Sequence, residues 1–421
     1  MKIFIIGGGG REHALAWKIR LDDPGAVIFC APGNAGTAAI ASNVPIQAED
    51  VEGLMAWAEK EKPDLTVVGP EAPLCLGLAD RMQAEGLRVF GPARNAARLE
   101  GSKAFAKEIL QAAQVPTAAA EAFSDEDSAM DFVRSHPPPL VIKADGLAAG
   151  KGVVICKTLP EAENAIRRMM TEKIFGSAGR QVLVEEFLEG EEVSALAFVD
   201  GKSAVLLPTA RDHKRAFDGD MGPNTGGMGA YSPAPAETRA FLAGILKVVF
   251  EPTIRELSRR GICYRGVLYA GLMLTKSGPK VLEFNCRFGD PETQAILPRL
   301  QGRLITAMEA CIDGQLRPEH GACRAESCAC VVMAAGGYPG SYRKGDVISG
   351  LEAAAKLAEV MIFHAGTKLD NSRTVTAGGR VLGVTALGEG LKTAVARAYE
   401  AAALINFNGA HYRRDIASSG L

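Results

Sequence analysis

The stretch Lys280-Val281-Leu282-Glu283-Phe284-Asn285-Cys286-Arg287-Phe288-Gly289-Asp290-Pro291-Glu292 carries the densest chemistry in the chain. Side chains alternate along a strand, so Glu283, Asn285 and Arg287 are expected on one face, with Leu282 and Phe284 on the other. A carboxylate and an amide oxygen two residues apart suit magnesium, a hard cation that usually takes one or two protein groups beside nucleotide phosphates. The guanidinium that follows suits an anionic substrate. A salt-bridged solvent face is the plainer alternative, but it leaves Arg-Phe-Gly-Asp-Pro-Glu unexplained.

Two glycine loops are candidates for phosphate. In Gly7-Gly8-Gly9-Gly10-Arg11-Glu12-His13 the third glycine of a dinucleotide fingerprint falls on Glu12 or His13, and the acid expected after the second strand is missing. What remains is either a set of N–H groups at a helix start, open to a phosphate, or a structural tight turn. Asp145-Gly146-Leu147-Ala148-Ala149-Gly150-Lys151-Gly152 resembles a P-loop but departs from it twice, at Asp145 and at Gly152. Residues 152–156 then continue as a strand, whereas a P-loop feeds a helix. The loop therefore reads as a flap between strands, with Gly150, Lys151 and Gly152 over phosphates; a hairpin with a solvated lysine is the alternative. Lys103, at a helix start, and Lys143, at a strand end, add fixed positive charge. Glu185 and Glu192 bracket a connector suited to an adenine edge, with Glu192 accepting from ribose hydroxyls. Cys323, Cys328 and Cys330 lack a fourth zinc ligand, and six scattered histidines support no Ser/His/Asp triad.

These groups need elements to hold them. In the first hundred residues, short apolar runs (3–6, 27–30, 65–68, 88–90) each end in a Gly/Pro loop and alternate with helical stretches. That grammar predicts a parallel, doubly wound sheet, whose ligands lie beyond the carboxyl ends of its strands. A helix is expected over 101–113, capped by Ser102 and stopped by Val115-Pro116. Strands follow at 140–143, 152–156, 181–187 and 193–199, with a helix at 159–170 between them. Residues 208–233 read as a long functional loop, and 267–274 with 280–284 as a hairpin. The polar patch at 318–327 marks the last boundary.

With 421 residues the chain should hold about three domains. Its formal net charge of −2 offers no footprint for nucleic acid or an anionic membrane. Apolar runs fall far below the roughly 18 residues of a membrane span, and the N-terminus is no secretory signal. Nine scattered cysteines argue against a disulfide framework. A soluble cytoplasmic enzyme is expected, monomeric or weakly dimeric.

Taken together, the motifs resemble the phosphoribosylamine–glycine ligases of the ATP-grasp superfamily. The matching segments are 9–14, 31–37, 68–74, 100–105, 142–152, 212–215, 222–231, 283–292, 333–340 and 364–367, spanning essentially the whole chain. The resemblance implies an α/β and α+β multidomain fold: an N-terminal doubly wound parallel sheet (1–102), an ATP-grasp core with a mobile lid (103–190 and 191–325), and a small mixed C-terminal domain (326–421). It implies that ATP, glycine and 5-phosphoribosylamine give glycinamide ribonucleotide, ADP and phosphate through glycyl phosphate, a step of purine biosynthesis, with Mg2+ or Mn2+ on Glu283 and Asn285. Lys103, Lys143, Gly150, Lys151, Gly152, Glu185 and Glu192 would meet ATP. Gly9, Gly10, Gly69, Pro70 and Glu71 would face phosphoribosylamine, with Asn224 and Asp290 also on the substrate side. Asp212 and Arg287 would hold the two ends of glycine, and with Lys143 form the catalytic set. Gly8 stands where the family often has Asn or Ser, and Arg211 where Gln is common. The ending after the C-terminal domain reads as monofunctional. Another carboxylate–amine ligase of the superfamily is the alternative, and a nicotinamide-dependent oxidoreductase a more distant one.

Overall fold

The computed structural model describes residues 1–148 and 152–421. The expected parallel runs form strands Lys2–Gly7, Val27–Pro32, Leu65–Val68 and Val89–Phe90, joined by a two-residue edge strand, Ser42–Asn43. Their spatial order is Ser42–Asn43, Val27–Pro32, Lys2–Gly7, Leu65–Val68, Val89–Phe90, all parallel. Alternate residues of the central strand feed two different cores. Phe4 and Ile6 pack with Leu54, Met55 and Leu78 on one face, while Ile3 and Ile5 pack with Leu15, Ile19 and Met308 on the other. Such a strand must be apolar throughout, and each of these side chains contributes about 1.5–3 kcal/mol by burial.

A four-stranded antiparallel sheet follows, in the order Ala120–Phe123, Val182–Glu186, Leu140–Ala144, Val153–Cys156. Helices Glu126–Ser135 and Leu159–Met170 cover it, started by Asp125 and Thr158, which cap the Ser128 and Glu161 N–H groups. A second antiparallel sheet runs Ala204–Leu206, Glu191–Asp200, Arg265–Thr275, Gly278–Asn285. Thr275 to Gly278 is the predicted hairpin turn.

Two expectations need correction. Residues 208–233 are not a loop: they contain strands Arg211–Asp212, Arg215–Phe217, Met221–Asn224 and Gly229–Ser232. Arg211–Asp212 and Gly229–Ser232 extend a sheet continued by Ser327–Ala334, Arg380–Gly388 and Val360–His364, so this sheet crosses the expected division at 325/326. Strict alternation also fails at Leu282. Gly271 pairs with Glu283 but Leu272 pairs with Val281, leaving Leu282 as an extra residue in a bulge. Val281 and Phe284 therefore enter the core, while Leu282 stays half-buried.

Candidate active site

Beyond the bulge the strand delivers Glu283 and Asn285 to one cluster of cations. Lys143 lies 2.9 Å from Glu185 and donates to the Leu282 carbonyl at 3.1 Å. Lys103 donates to the carbonyls of Ala144 (3.0 Å) and Gly146 (3.2 Å), and Lys214 pairs with Glu192. With these lysines engaged elsewhere, Glu283 has no ion-pair partner among the described residues. Burial opposes its charge, yet Lys214, Lys143, Lys103 and Arg287 together hold the carboxyl below its ordinary range. An ionised, unpaired carboxylate beside the Asn285 amide fits a divalent cation whose remaining ligands are phosphate and water oxygens. No group of three or more His, Cys, Asp or Glu among the described residues offers an all-protein metal cage.

Glu185 was expected against adenosine, and here the structure differs. Its carboxylate is 2% exposed and faces Lys143 and Lys107, the latter at 3.4 Å. Glu185 sits on Val182–Glu186 opposite Val141 of the neighbouring strand, so the pairing register turns it toward the lysines. It holds Lys143 from behind. Glu192 remains at the surface with Lys214. Asp145 occupies the start of helix Lys103–Ala112, accepting from the Ala104 N–H at 2.7 Å, so that helix end is already capped. Gly152 is required by crowding, since a Cβ there would lie 2.7 Å from that of Ala148. Gly150 and Lys151 lie outside the described residues.

Arg287 joins three segments. It donates from Nε to Glu71 at 3.1 Å, and from Nη2 to Glu100 at 2.7 Å and to the Asn285 oxygen at 3.2 Å; Nη1 reaches the Phe288 carbonyl at 3.3 Å. Burial alone would raise Glu71, but Arg287 and Arg11 bring its pKa down to about 2. Four of the five guanidinium N–H groups are thus used, leaving one on Nη1 for a ligand carboxylate. Pro70 starts the short helix Glu71–Cys75 that presents Glu71.

The first glycine loop is also partly occupied. Glu12 accepts from the Gly9 N–H at 2.6 Å and from Arg11 Nε at 2.5 Å, so the donor expected for phosphate is taken. Gly69 makes room for that carboxylate: a Cβ there would lie 2.1 Å from Glu12 Oε1. At Gly10 a Cβ would meet Gln294 at 2.6 Å. Asp290 closes this side, accepting from Gln294 at 2.8 Å and pairing with Arg380 at 3.3 Å.

Strand Arg211–Asp212, paired with Gly229–Ser232, carries Asp212. Burial pushes its carboxyl up to about 7; Lys214 works against that rise, while Glu292 and Glu192 add to it. Lys214 is held well above its ordinary value because Asp212, Glu192 and Glu283 outweigh burial. Asn224 pairs in register with Arg215 in the adjoining hairpin. The sequence reading missed Lys214, Lys107, Glu100, Glu292 and Arg380 as site residues. Lys214 was findable, two positions after Asp212 in the same motif; Lys107, on a buried helix face, carried no signal.

The chain matches Phosphoribosylglycinamide synthetase in three consecutive parts: the N domain over residues 1–100, the ATP-grasp (A) domain over 101–293, and the C domain over 328–419. It is 50% identical to a phosphoribosylamine–glycine ligase of Vibrio cholerae and 51% identical to one of Pseudomonas aeruginosa, each match covering 99% of this chain and 97% of the relative. The crystal structure of the Thermotoga maritima phosphoribosylamine–glycine ligase superposes with a TM-score of 0.87 at 36% identity, covering 99% of this chain and all of that one. A biotin carboxylase domain from Hydrogenobacter thermophilus shares the fold at 16% identity and a TM-score of 0.75, over 98% of this chain and 91% of that one. An N-terminal parallel sheet, an ATP-grasp cleft and a matching C domain, all in family order, make this chain a member of the phosphoribosylglycinamide synthetase family.

Proposed function

We propose that the chain ligates glycine to 5-phosphoribosylamine at the expense of ATP, giving glycinamide ribonucleotide, ADP and phosphate. The observation that carries this reading is Glu283, ionised and without an ion pair among Lys103, Lys143, Lys214 and Arg287. A carboxylate resists attack by an amine, so the glycine carboxylate first takes the γ-phosphoryl group, and the amine then displaces phosphate from glycyl phosphate. Such transfer needs alignment and charge stabilisation more than a protein nucleophile. A bound Mg2+ or Mn2+ would be held by Glu283 and Asn285 and would supply charge neutralisation for the phosphates.

Lys103 and Lys143 add positive charge along the triphosphate, with Glu185 fixing Lys143. Glu192 meets the ribose, and the 150–152 loop covers the phosphates and excludes water. Asp212 accepts the glycine ammonium, while Arg287, through its remaining Nη1 N–H, orients the carboxylate. Gly9, Gly10, Gly69, Pro70 and Glu71 form the wall toward phosphoribosylamine, with Asp290 and Asn224 at its edge. In this reading residues 1–102 bind the sugar phosphate, 103–190 and 191–325 clamp ATP, and 326–421 complete the wall. The protein works in the cytoplasm as a monomer or weak dimer, with no nucleic-acid or membrane partner. The test is ADP release from the purified chain with Mg2+ and ATP. It should require glycine and phosphoribosylamine together; release with a different amine, and none with phosphoribosylamine, would sink the proposal.

A further inference from the structure

The segment 411–417, beyond the last long helix Leu391–Leu404, grips the stretch that carries Asp212 and Lys214. Arg413 donates from Nη1 to the Arg215 carbonyl at 3.2 Å and to Asp220 at 2.8 Å. The Arg414 N–H reaches Asp218 at 2.8 Å, and Asp415 accepts from the Gly219 N–H at 2.9 Å. His411 Nε2 lies 2.9 Å from the Ala216 carbonyl, and the Ala417 N–H donates to His213 at 3.3 Å. At the centre, Arg413 is 1% exposed and binds both oxygens of Asp415 at 2.7 Å. The Lys214 carbonyl is held from the other side by Thr225, whose N–H donates at 2.7 Å and hydroxyl at 2.9 Å.

A buried ion pair is weak evidence for stability, because well-packed apolar residues often do as well. A bidentate guanidinium supplies orientation instead. What it orients here is the backbone directly after Lys214 and the turn that follows.

We propose that Arg413 is a positioning residue for the ligase reaction, setting Lys214 and Asp212 against Glu192 and Glu283 through the hairpin it clamps. This rests on the functional reading above, and Arg413 itself touches no substrate. The test compares full-length R413K and R413M with wild type in the ligase assay, with thermal melting alongside. In R413M, kcat should fall about 10- to 100-fold, the scale of a misplaced site group, and the KM for glycine should rise. R413K should recover melting temperature but not kcat, because it keeps the charge and loses the fork. Folded R413M with wild-type kcat and glycine KM would overturn the proposal. Should R413M fail to fold, Asp220→Asn removes one grip at an exposed carboxylate: a lower kcat at unchanged melting temperature supports the proposal, and unchanged constants overturn it. Absence of glycine- and phosphoribosylamine-dependent ADP release in wild type would instead fail the ligase reading, so the two failures are distinguishable.

Discussion

Glu283 and Asp212 show how neighbours decide the state of one functional group. Both are carboxylates whose charge burial opposes, yet cations keep Glu283 ionised while nearby carboxylates help drive Asp212 up to about 7. Glu283→Ala removes the only carboxylate proposed for the metal, and turnover should drop by about 10²-fold or more, the scale of a lost transition-state contact. Near-normal turnover at saturating Mg2+ would exclude Glu283 from that role. Asp212 is protonated below its raised pKa and then cannot accept an ammonium as a carboxylate. The KM for glycine should therefore rise as pH falls from 8 to 6, and Asp212→Asn should give a high KM with no such dependence. Steady-state kinetics across that range decide it. Glu283, Asn285 and Arg287 were legible because alternation needs only the local chain. The Arg287 bonds to Glu71 and Glu100 were not, since those partners lie about two hundred positions away.

Among the elements, the parallel sheet was readable because a strand buried on both faces must be apolar along its whole length. The bulge at Leu282 was hidden, being set by pairing with Gly271 rather than by residue type. Strands only two to four residues long within 208–233 were hidden for the same reason: their order comes from non-local partners. The four-stranded sheet that contains Val182–Glu186 yields its own prediction. Glu185→Ala would leave Lys143 and Lys107 buried without their counter-charge, at a cost of about 3–5 kcal/mol. Denaturant unfolding should show the loss; a cost below 1 kcal/mol would mean that the lysines find other partners.

At the scale of the whole molecule, buried histidines fasten distant segments. His13, at the start of the first helix, accepts from the His364 N–H at 2.8 Å. Burial, with His364 adding to it, lowers the His13 pKa to about 3, and burial lowers His213 and His364 to about 4. An unfolded chain takes up these protons below about pH 6.5, where the folded protein does not. Stability should thus decline as pH falls from about 6.5 toward 4, by up to about 1.4 kcal/mol per pH unit for each histidine. His364→Asn should flatten the decline, and an unchanged slope of melting temperature against pH would refute the assignment. The sheet that straddles residues 325 and 326 has a further consequence, for synthesis. Strand Gly229–Ser232 leaves the ribosome well before its partner Ser327–Ala334. At roughly 5–20 residues per second the nascent chain carries a bare strand edge for about 5–20 s, which makes that interval, rather than the finished enzyme, the moment when chaperones matter most.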